Sequence, residues 1–233
     1  MNLSARTLVV AAHPDDEVLG CGATMARIAS NGGTVQTIFL ADGESARFPL
    51  SKIISKEVTE RIQARKEAAY SAAEILGSLP PKFFDLPDNR LDTVPILEIA
   101  RIIEQEIALF KPNLVMTHFL GDINVDHQKV HEAILIALRP QSGINASDLI
   151  CFEVPSSTEW RPSGLGQVFS PNLFIDVKGF GDQKLAALKA YDAEMRPFPH
   201  PRSYEAIESL MKWRGASSNN MLAEAFLLTR GIY

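Results

Sequence analysis

Apolar residues recur along this chain at two alternating spacings. Leu8-Val9-Val10-Ala11-Ala12 is a continuous apolar run of the kind that forms a strand buried on both faces. Val18, Gly22, Met25 and Ala29 then follow a helical period up to Asn31-Gly32-Gly33, a glycine-rich stop, and Thr34 to Leu40 reads as a second strand. Strand, helix and strand with short links make a right-handed βαβ unit. The alternation continues with a helix from Val58 to Leu76 that carries Ile62, Ala69, Ala73 and Leu76 on one face and ends at Gly77. A short strand at Lys82-Phe83-Phe84, a helix striped by Ile96, Ile99, Ile103, Ile107 and Phe110, and a strand from Asn113 to Thr117 complete the regular part. Residues 45 to 56 show no clear period and are expected as a loop over a site.

Beyond this point the pattern thins. Leu149 to Phe152 predicts a fifth strand and Asn172 to Val177 a further one, in a smaller C-terminal lobe. Leu185, Leu188 and Met195 support a helix that runs into Arg196-Pro197-Phe198-Pro199-His200-Pro201-Arg202, where three prolines forbid regular helix before a last helix over Tyr204 to Trp213. The expected fold class is α/β: a Rossmann-like three-layer fold with a mainly parallel sheet in strand order 3-2-1-4-5. It is a single domain over 1–233, with its core in about residues 1–153 and a less regular part from 154 on.

Composition narrows the functional classes. The 233 residues carry a formal net charge of −5, which argues against nucleic acid as a partner, since a phosphate backbone calls for a basic face. No apolar run reaches membrane-spanning length and the N-terminus lacks a secretory signal pattern, so a cytoplasmic location is expected. Cys21 and Cys151 form no CxxC motif and are expected as buried thiols. A homo-oligomer is compatible with this composition and is not specified by it.

The unusual polar residues fall repeatedly after the C-terminal ends of the predicted strands, where doubly wound sheets place their sites. His13-Pro14-Asp15-Asp16-Glu17 follows the first strand, and Gly121-Asp122-Ile123-Asn124-Val125-Asp126-His127 follows the fourth. In the order 3-2-1-4-5 these two clusters meet at the crevice where strand order reverses. His13, Asp16 and His127 then make a set of two imidazoles and one carboxylate that leaves a fourth position open, the pattern of catalytic zinc rather than magnesium or calcium. Asp15, beside a ligand without being one, is placed to act as general base. Two alternatives compete. Asp15 or Asp16 could simply cap the helix that Glu17 begins, with His13 a bystander, or His127 could pair with His131 at HExxH-like spacing, although no glutamate occupies the base position and His131 is better read as structural. No GxGxxG, GxSxG or Walker A pattern is present.

The motif Ala12-His13-Pro14-Asp15-Asp16-Glu17, the Asp42-Gly43-Glu44 turn and the Asp122 to His127 segment together resemble the LmbE/PIG-L-like zinc-dependent deacetylases. Phe84 to Leu91, with Pro87-Asp88, and Ala223-Glu224-Ala225-Phe226 are looser likenesses. Members of that family remove an N-acetyl group from substrates containing N-acetylglucosamine. The resemblance implies a Rossmann-like fold, zinc held by His13, Asp16 and His127, and Asp15 as base. It also exposes a departure. The family commonly has a histidine three residues before the last ligand, and here that position is Asn124, whose amide can donate to an oxyanion but cannot deliver a proton. The proton for the leaving amine then falls to Asp15, or to another group such as His118.

Arg47 and Asp88, on polar turns after the second and third strands, are expected at the substrate. So are Arg196, His200 and Arg202 on the proline-stiffened segment, where substitution should mainly raise KM. The expected activity is zinc-dependent hydrolysis of the N-acetyl group of an amino-sugar derivative, a small-molecule substrate. The alternatives are an amidase or other hydrolase acting on a non-sugar molecule, and a noncatalytic metal-stabilised sugar-binding protein.

Overall fold

Leu8 and Val10 join the core on one face of the first strand and Val9 and Ala11 the core on the other, and all four are fully buried. Such a strand needs a neighbour on each edge and a layer over each face. The computed structural model, which describes residues 5–140, 148–164 and 166–232, supplies both. Strand β1 (Arg6–Ala11) pairs in parallel with β2 (Thr34–Ala41) on one side and β4 (Leu114–His118) on the other. β3 (Lys82–Leu86) adds beyond β2 and β5 (Asp148–Phe152) beyond β4, so the parallel core runs 3-2-1-4-5. β7 (Ala223–Arg230) joins β5 antiparallel, and β6 (Leu173–Asp176) joins β7 antiparallel. The C-terminal part, expected as a smaller lobe, extends the same sheet, which has seven strands among the described residues.

Six helices lie among the described residues: α1 (Asp16–Ser30), α2 (Lys56–Leu76), α3 (Ile96–Phe110), α4 (Val125–Ala137), α5 (Gly181–Ala190) and α6 (Tyr204–Ala216). α1, α2, α5 and α6 bury their apolar sides against the face carrying Val9 and Ala11, while α3 and α4 cover the face carrying Leu8 and Val10. Local signals set the ends. Ser55 and Ser203 accept the amides of Val58 and Ala206 as N-caps, and Gly77, at φ 71°, closes α2 in the left-handed conformation that glycine adopts freely. The aperiodic stretch after β2 folds as two short 3-10 turns, Ser45–Arg47 and Leu50–Lys52. Met195 falls outside helix α5, after a further 3-10 turn at Asp192–Glu194. No described helix is long and apolar enough to cross a membrane.

Helix α1 is broken inside. Cys21 has φ −146° and ψ 19°, away from helical values, and Gly20 lies so close to Phe152 that a Cβ there would sit 2.3 Å from the ring. A break frees backbone donors and acceptors that are costly to bury unpaired. Glu224 of β7 takes the freed donors, Ala23 N–H at 3.1 Å and Thr24 N–H at 2.7 Å. Lys184 of α5 donates to the Leu19 carbonyl at 2.8 Å and to Glu224 at 2.6 Å, so the carboxylate that restarts the helix is itself neutralised.

Candidate metal centre and catalytic site

The turn after β1 sorts its two aspartates. Asp15 occupies the N-cap position of α1, yet its side chain makes no capping hydrogen bond; its carbonyl accepts Val18 and Leu19 N–H instead. Its φ of 127° is rare for a residue with a side chain and is held by Glu17, whose Oε2 accepts Asp15 N–H at 3.0 Å while Oε1 accepts the Tyr191 hydroxyl at 2.8 Å. Burial pushes Glu17 up to about 8, against the hydrogen bonds from Tyr191 and Asp15 that favour its charged form. Asp16 does not cap either; its Oδ2 accepts His13 N–H at 2.9 Å. The reading of this stretch as an ordinary acidic helix cap is therefore not what the chain adopts.

His13, Asp16 and His127 converge. Asp16 Oδ2 lies 3.3 Å from His13 Nδ1 and 3.3 Å from His127 Nε2, and one ligand atom from each of the three falls within 4.8 Å of the others. All three side chains are buried, and Asp16 Oδ1 and His127 Nε2 have no hydrogen-bond partner. Unpaired polar atoms at such depth are unfavourable unless a water or a cation satisfies them, and two carried by one ligand-type cluster favour a cation. The electrostatics agree. Burial opposes charge on His127, but Asp16 and Asp122 outweigh it and raise the imidazole to about 9; burial likewise opposes charge on Asp16, yet the neighbouring histidines hold it well below the usual carboxylate range. A site that attracts a proton this strongly attracts a metal cation for the same reason. The donor set fits a divalent metal.

A further ring of carboxylates orients the imidazoles. His13 Nε2 meets Asp126 Oδ2 at 3.0 Å and Asp88 Oδ1 at 3.1 Å, and His127 Nδ1 meets Asp122 Oδ2 at 3.1 Å. Asp122 in turn accepts the hydroxyls of Ser157 and, at 2.6 Å, Thr158. His13, Asp88 and Asp126 also lie close enough to share an ion. Their oxygens are already engaged: Asp126 accepts Asn89 N–H at 2.7 Å and Leu91 N–H at 2.9 Å, and Asp88 accepts Ala46 N–H at 3.2 Å and the Asn89 amide at 3.2 Å. This second group therefore fixes the ring of His13, as outer partners of metal-binding histidines do.

The carboxylate of Asp15, turned away from the helix, meets two guanidinium groups. Arg202 Nη1 donates to Oδ2 at 2.9 Å and Arg65 Nη2 lies 3.5 Å from the same oxygen. Burial raises the Asp15 pKa, and the two arginines pull against that rise. Arg65 is itself buried and pairs with Glu194 at 2.6 Å; Glu194 also forms a two-pronged contact with Arg47 at 3.0 and 2.7 Å.

The other expected residues are placed as follows. Asn124 caps α4, its side-chain oxygen accepting Asp126 N–H at 2.8 Å and its amide donating to Asn89 at 3.2 Å. His118 Nε2 accepts Ala12 N–H at 2.8 Å, and its ring stacks on His127 at 3.9 Å; burial and the neighbouring His127 hold its pKa well below the usual value. His131 donates from Nδ1 to the His118 carbonyl at 2.9 Å. Asp88 is buried against His13, Arg47 joins the glutamate network, and Arg196 reaches the carbonyls of Ala193 and Met195, each at 2.8 Å. His200 accepts Arg202 N–H at 3.1 Å and meets Trp160 edge-on. Residues with no role assigned from sequence now surround Asp15: Arg65, Glu194, Glu17 and Tyr191. Arg65 carries a visible signal, a charge set between Ile62 and Ala69 on the apolar stripe of α2.

Residues 8–138 match the family model PIG-L, described as GlcNAc-PI de-N-acetylase. The chain is 32% identical to a 4-oxalmesaconate hydratase of Pseudomonas putida over 78% of its own length and 71% of the relative's. It is 29% identical to an uncharacterized deacetylase of Escherichia coli, over 79% and 89% of the two chains. Among solved structures, a conserved protein of Thermus thermophilus superposes with a TM-score of 0.77 at 23% identity, covering 98% of this chain and 96% of the other.

Proposed function

The chain belongs to the PIG-L family of GlcNAc-PI de-N-acetylases, and on that premise we propose that it is a zinc-dependent N-deacetylase acting on an N-acetylated amino-sugar derivative. The observation that carries this reading is the buried trio His13, Asp16 and His127, with two unpaired donor atoms, beside an Asp15 carboxylate not spent on the helix. A zinc ion on these three side chains would supply Lewis-acid polarisation and a water of lowered pKa. Asp15 takes the proton of the attacking water and passes it to the nitrogen of the leaving amine, so one group serves as base and then as acid. Arg202 and Arg65 hold the carboxylate in place, and Asp122, Asp126 and Asp88 fix the imidazole rings. The remaining donor hydrogen of the Asn124 amide is assigned to the oxyanion.

A second reading, hydration of an unsaturated acid, is favoured by the relative of 32% identity, which bears that activity in its name. Both reactions begin with Asp15 taking a proton from water, and the products separate them. Protein stripped by a chelator and reloaded with zinc is expected to release acetate from at least one member of a panel of N-acetyl amino sugars, and the stripped protein from none. Acetate release from none of the panel, with loss of the double-bond absorbance of unsaturated dicarboxylates, would replace the deacetylase with the hydratase. Turnover of neither substrate class would leave a noncatalytic binding protein.

A further inference from the structure

The turn that follows β5, from Pro155 to Glu159, carries three hydroxyl side chains in a row, Ser156, Ser157 and Thr158. Ser156 stands at φ 68°, a left-handed conformation uncommon for a residue with a side chain. Glu159 holds it there: Oε1 accepts Ser156 N–H at 2.7 Å and Oε2 accepts Ser157 N–H at 3.3 Å. The Val154 carbonyl accepts the amides of Ser157 and Thr158, at 3.1 and 3.0 Å. A backbone tied at this many points fixes the direction of all three hydroxyls.

Two of them reach the metal side of the site. Ser157 Oγ donates to Asp122 Oδ1, and Thr158 Oγ1 donates to Asp122 Oδ2 at 2.6 Å. Thr158 Oγ1 also accepts Val154 N–H at 2.8 Å, so its one hydrogen is committed to the carboxylate. Asp122 Oδ2 lies 3.1 Å from Nδ1 of His127, whose Nε2 faces Asp16 at 3.3 Å. A carboxylate behind a ligating imidazole fixes that ring only as well as it is fixed itself. The third hydroxyl reaches the side of Asp15. Ser156 Oγ accepts the Arg202 Nε hydrogen at 2.7 Å, and Nη1 of the same guanidinium donates to Asp15 Oδ2 at 2.9 Å. The guanidinium is planar and rigid, so a grip on Nε sets the direction of Nη1.

We propose that this turn is a positioning element for both halves of the site: Ser157 and Thr158 set His127 through Asp122, Ser156 sets Asp15 through Arg202, and Glu159 holds the two branches together. The His127 branch needs only a metal on that imidazole. The Asp15 branch rests on the base role in the proposed deacetylase reaction.

Zinc affinity, measured by competition with a chromophoric chelator, reads the first branch, and kcat at saturating zinc reads the second. Ser157→Ala/Thr158→Val is expected to bind zinc about 10-fold more weakly, and Ser157→Ala/Thr158→Ser, which returns one hydroxyl, to recover part of that loss. Ser156→Ala should keep the parental zinc affinity and lower kcat about 5-fold, with no further loss in an Arg202→Met background. Glu159→Ala, a change at an exposed residue, should lower both quantities together. Zinc affinities that fall as expected, with acetate released from no N-acetyl sugar, remove the deacetylase reading and leave the His127 branch standing; the Asp15 branch is then read on hydration of the unsaturated dicarboxylate, or falls with the base role. Parental zinc affinity in the Ser157→Ala/Thr158→Val variant, parental kcat in Ser156→Ala, or parental values of both in Glu159→Ala overturn the proposal. So does a loss of zinc affinity in Ser156→Ala equal to that of the double variant, the mark of a fold loosened as a whole.

Discussion

Arg202 offers the sharpest test of the base role proposed for Asp15. Sequence alone assigns it to substrate recognition, where its loss would raise KM; the structure adds a contact of its Nη1 to Asp15 Oδ2 at 2.9 Å, with the arginine only one-fifth exposed and the aspartate buried. Consider Arg202→Met, which keeps the unbranched stem and removes the charge. A hydrogen bond to a charged group contributes about 1.5–3 kcal/mol. Arg65, at 3.5 Å from the same oxygen, stays in place and limits the loss, so kcat should fall by roughly 10- to 100-fold, or about 1.4–2.7 kcal/mol. The assay is a double-mutant cycle on kcat, with Asp15→Asn as the second change. If Arg202 acts through Asp15, the methionine should have little further effect once the carboxylate is gone. Equal losses in the two backgrounds, or a raised KM with kcat intact, would refute the reasoning.

The two adjacent aspartates should part company in metal analysis: Asp16→Ala is expected to purify without metal, whereas Asp15→Asn keeps the metal and loses kcat, and equal metal loss would remove the base assignment. Asn124→Asp preserves the capping oxygen but loses the amide donor and with it the bond to Asn89, so a kcat lowered by about 10²-fold beyond that of an Asn89→Ala control, which removes the same bond, supports an oxyanion role, while Asn124→Ala should also lose about 1 kcal/mol of stability with the cap. An Asn124→Asp enzyme with parental kcat would leave the residue only its structural part. Burial opposes the charge of Glu194, but Arg47 and Arg65 overcome it and hold the pKa at about 2, so its stabilisation is present above the ordinary glutamate pKa and is lost as pH falls toward 2. Glu194→Gln should therefore be less stable than the parent by about 2 kcal/mol at pH 7, after allowance for screening at half-exposed Arg47, and the gap measured in urea should shrink steadily toward pH 3; a gap independent of pH would contradict this.

The parallel core and the meeting of His13, Asp16 and His127 were legible because both leave a local trace. A strand buried on two faces reads as a short apolar block, and ligand-type residues clustered just after two such blocks announce themselves by type and position. His13, Asp16 and His127 come together as that logic requires. The surroundings of Asp15 leave no such trace. Arg65, Tyr191, Glu194 and Arg202 come from three separate stretches of chain and meet only through packing of α2 against α5 and the segment after it. The break in α1 was hidden for a related reason. Its apolar period continues across Cys21, and the residue that makes the break tolerable, Glu224, belongs to a strand whose pairing with β5 and β6 is a property of the whole sheet.

That seal has a consequence in time. The amides that Glu224 closes precede it by 201 and 200 positions, so a chain emerging from the ribosome presents the His13 to Glu17 turn long before the residue that completes the helix behind it. Contacts so distant in sequence form late, because the intervening loop must first be closed. Until then the two halves of α1 have buried-type amides with no acceptor, and Lys184 lacks its anion. Completion of the helix behind His13 and Asp16 is thereby tied to the arrival of β7, and a chain interrupted before Ala223 is expected to be handled by the cell as an unfinished protein.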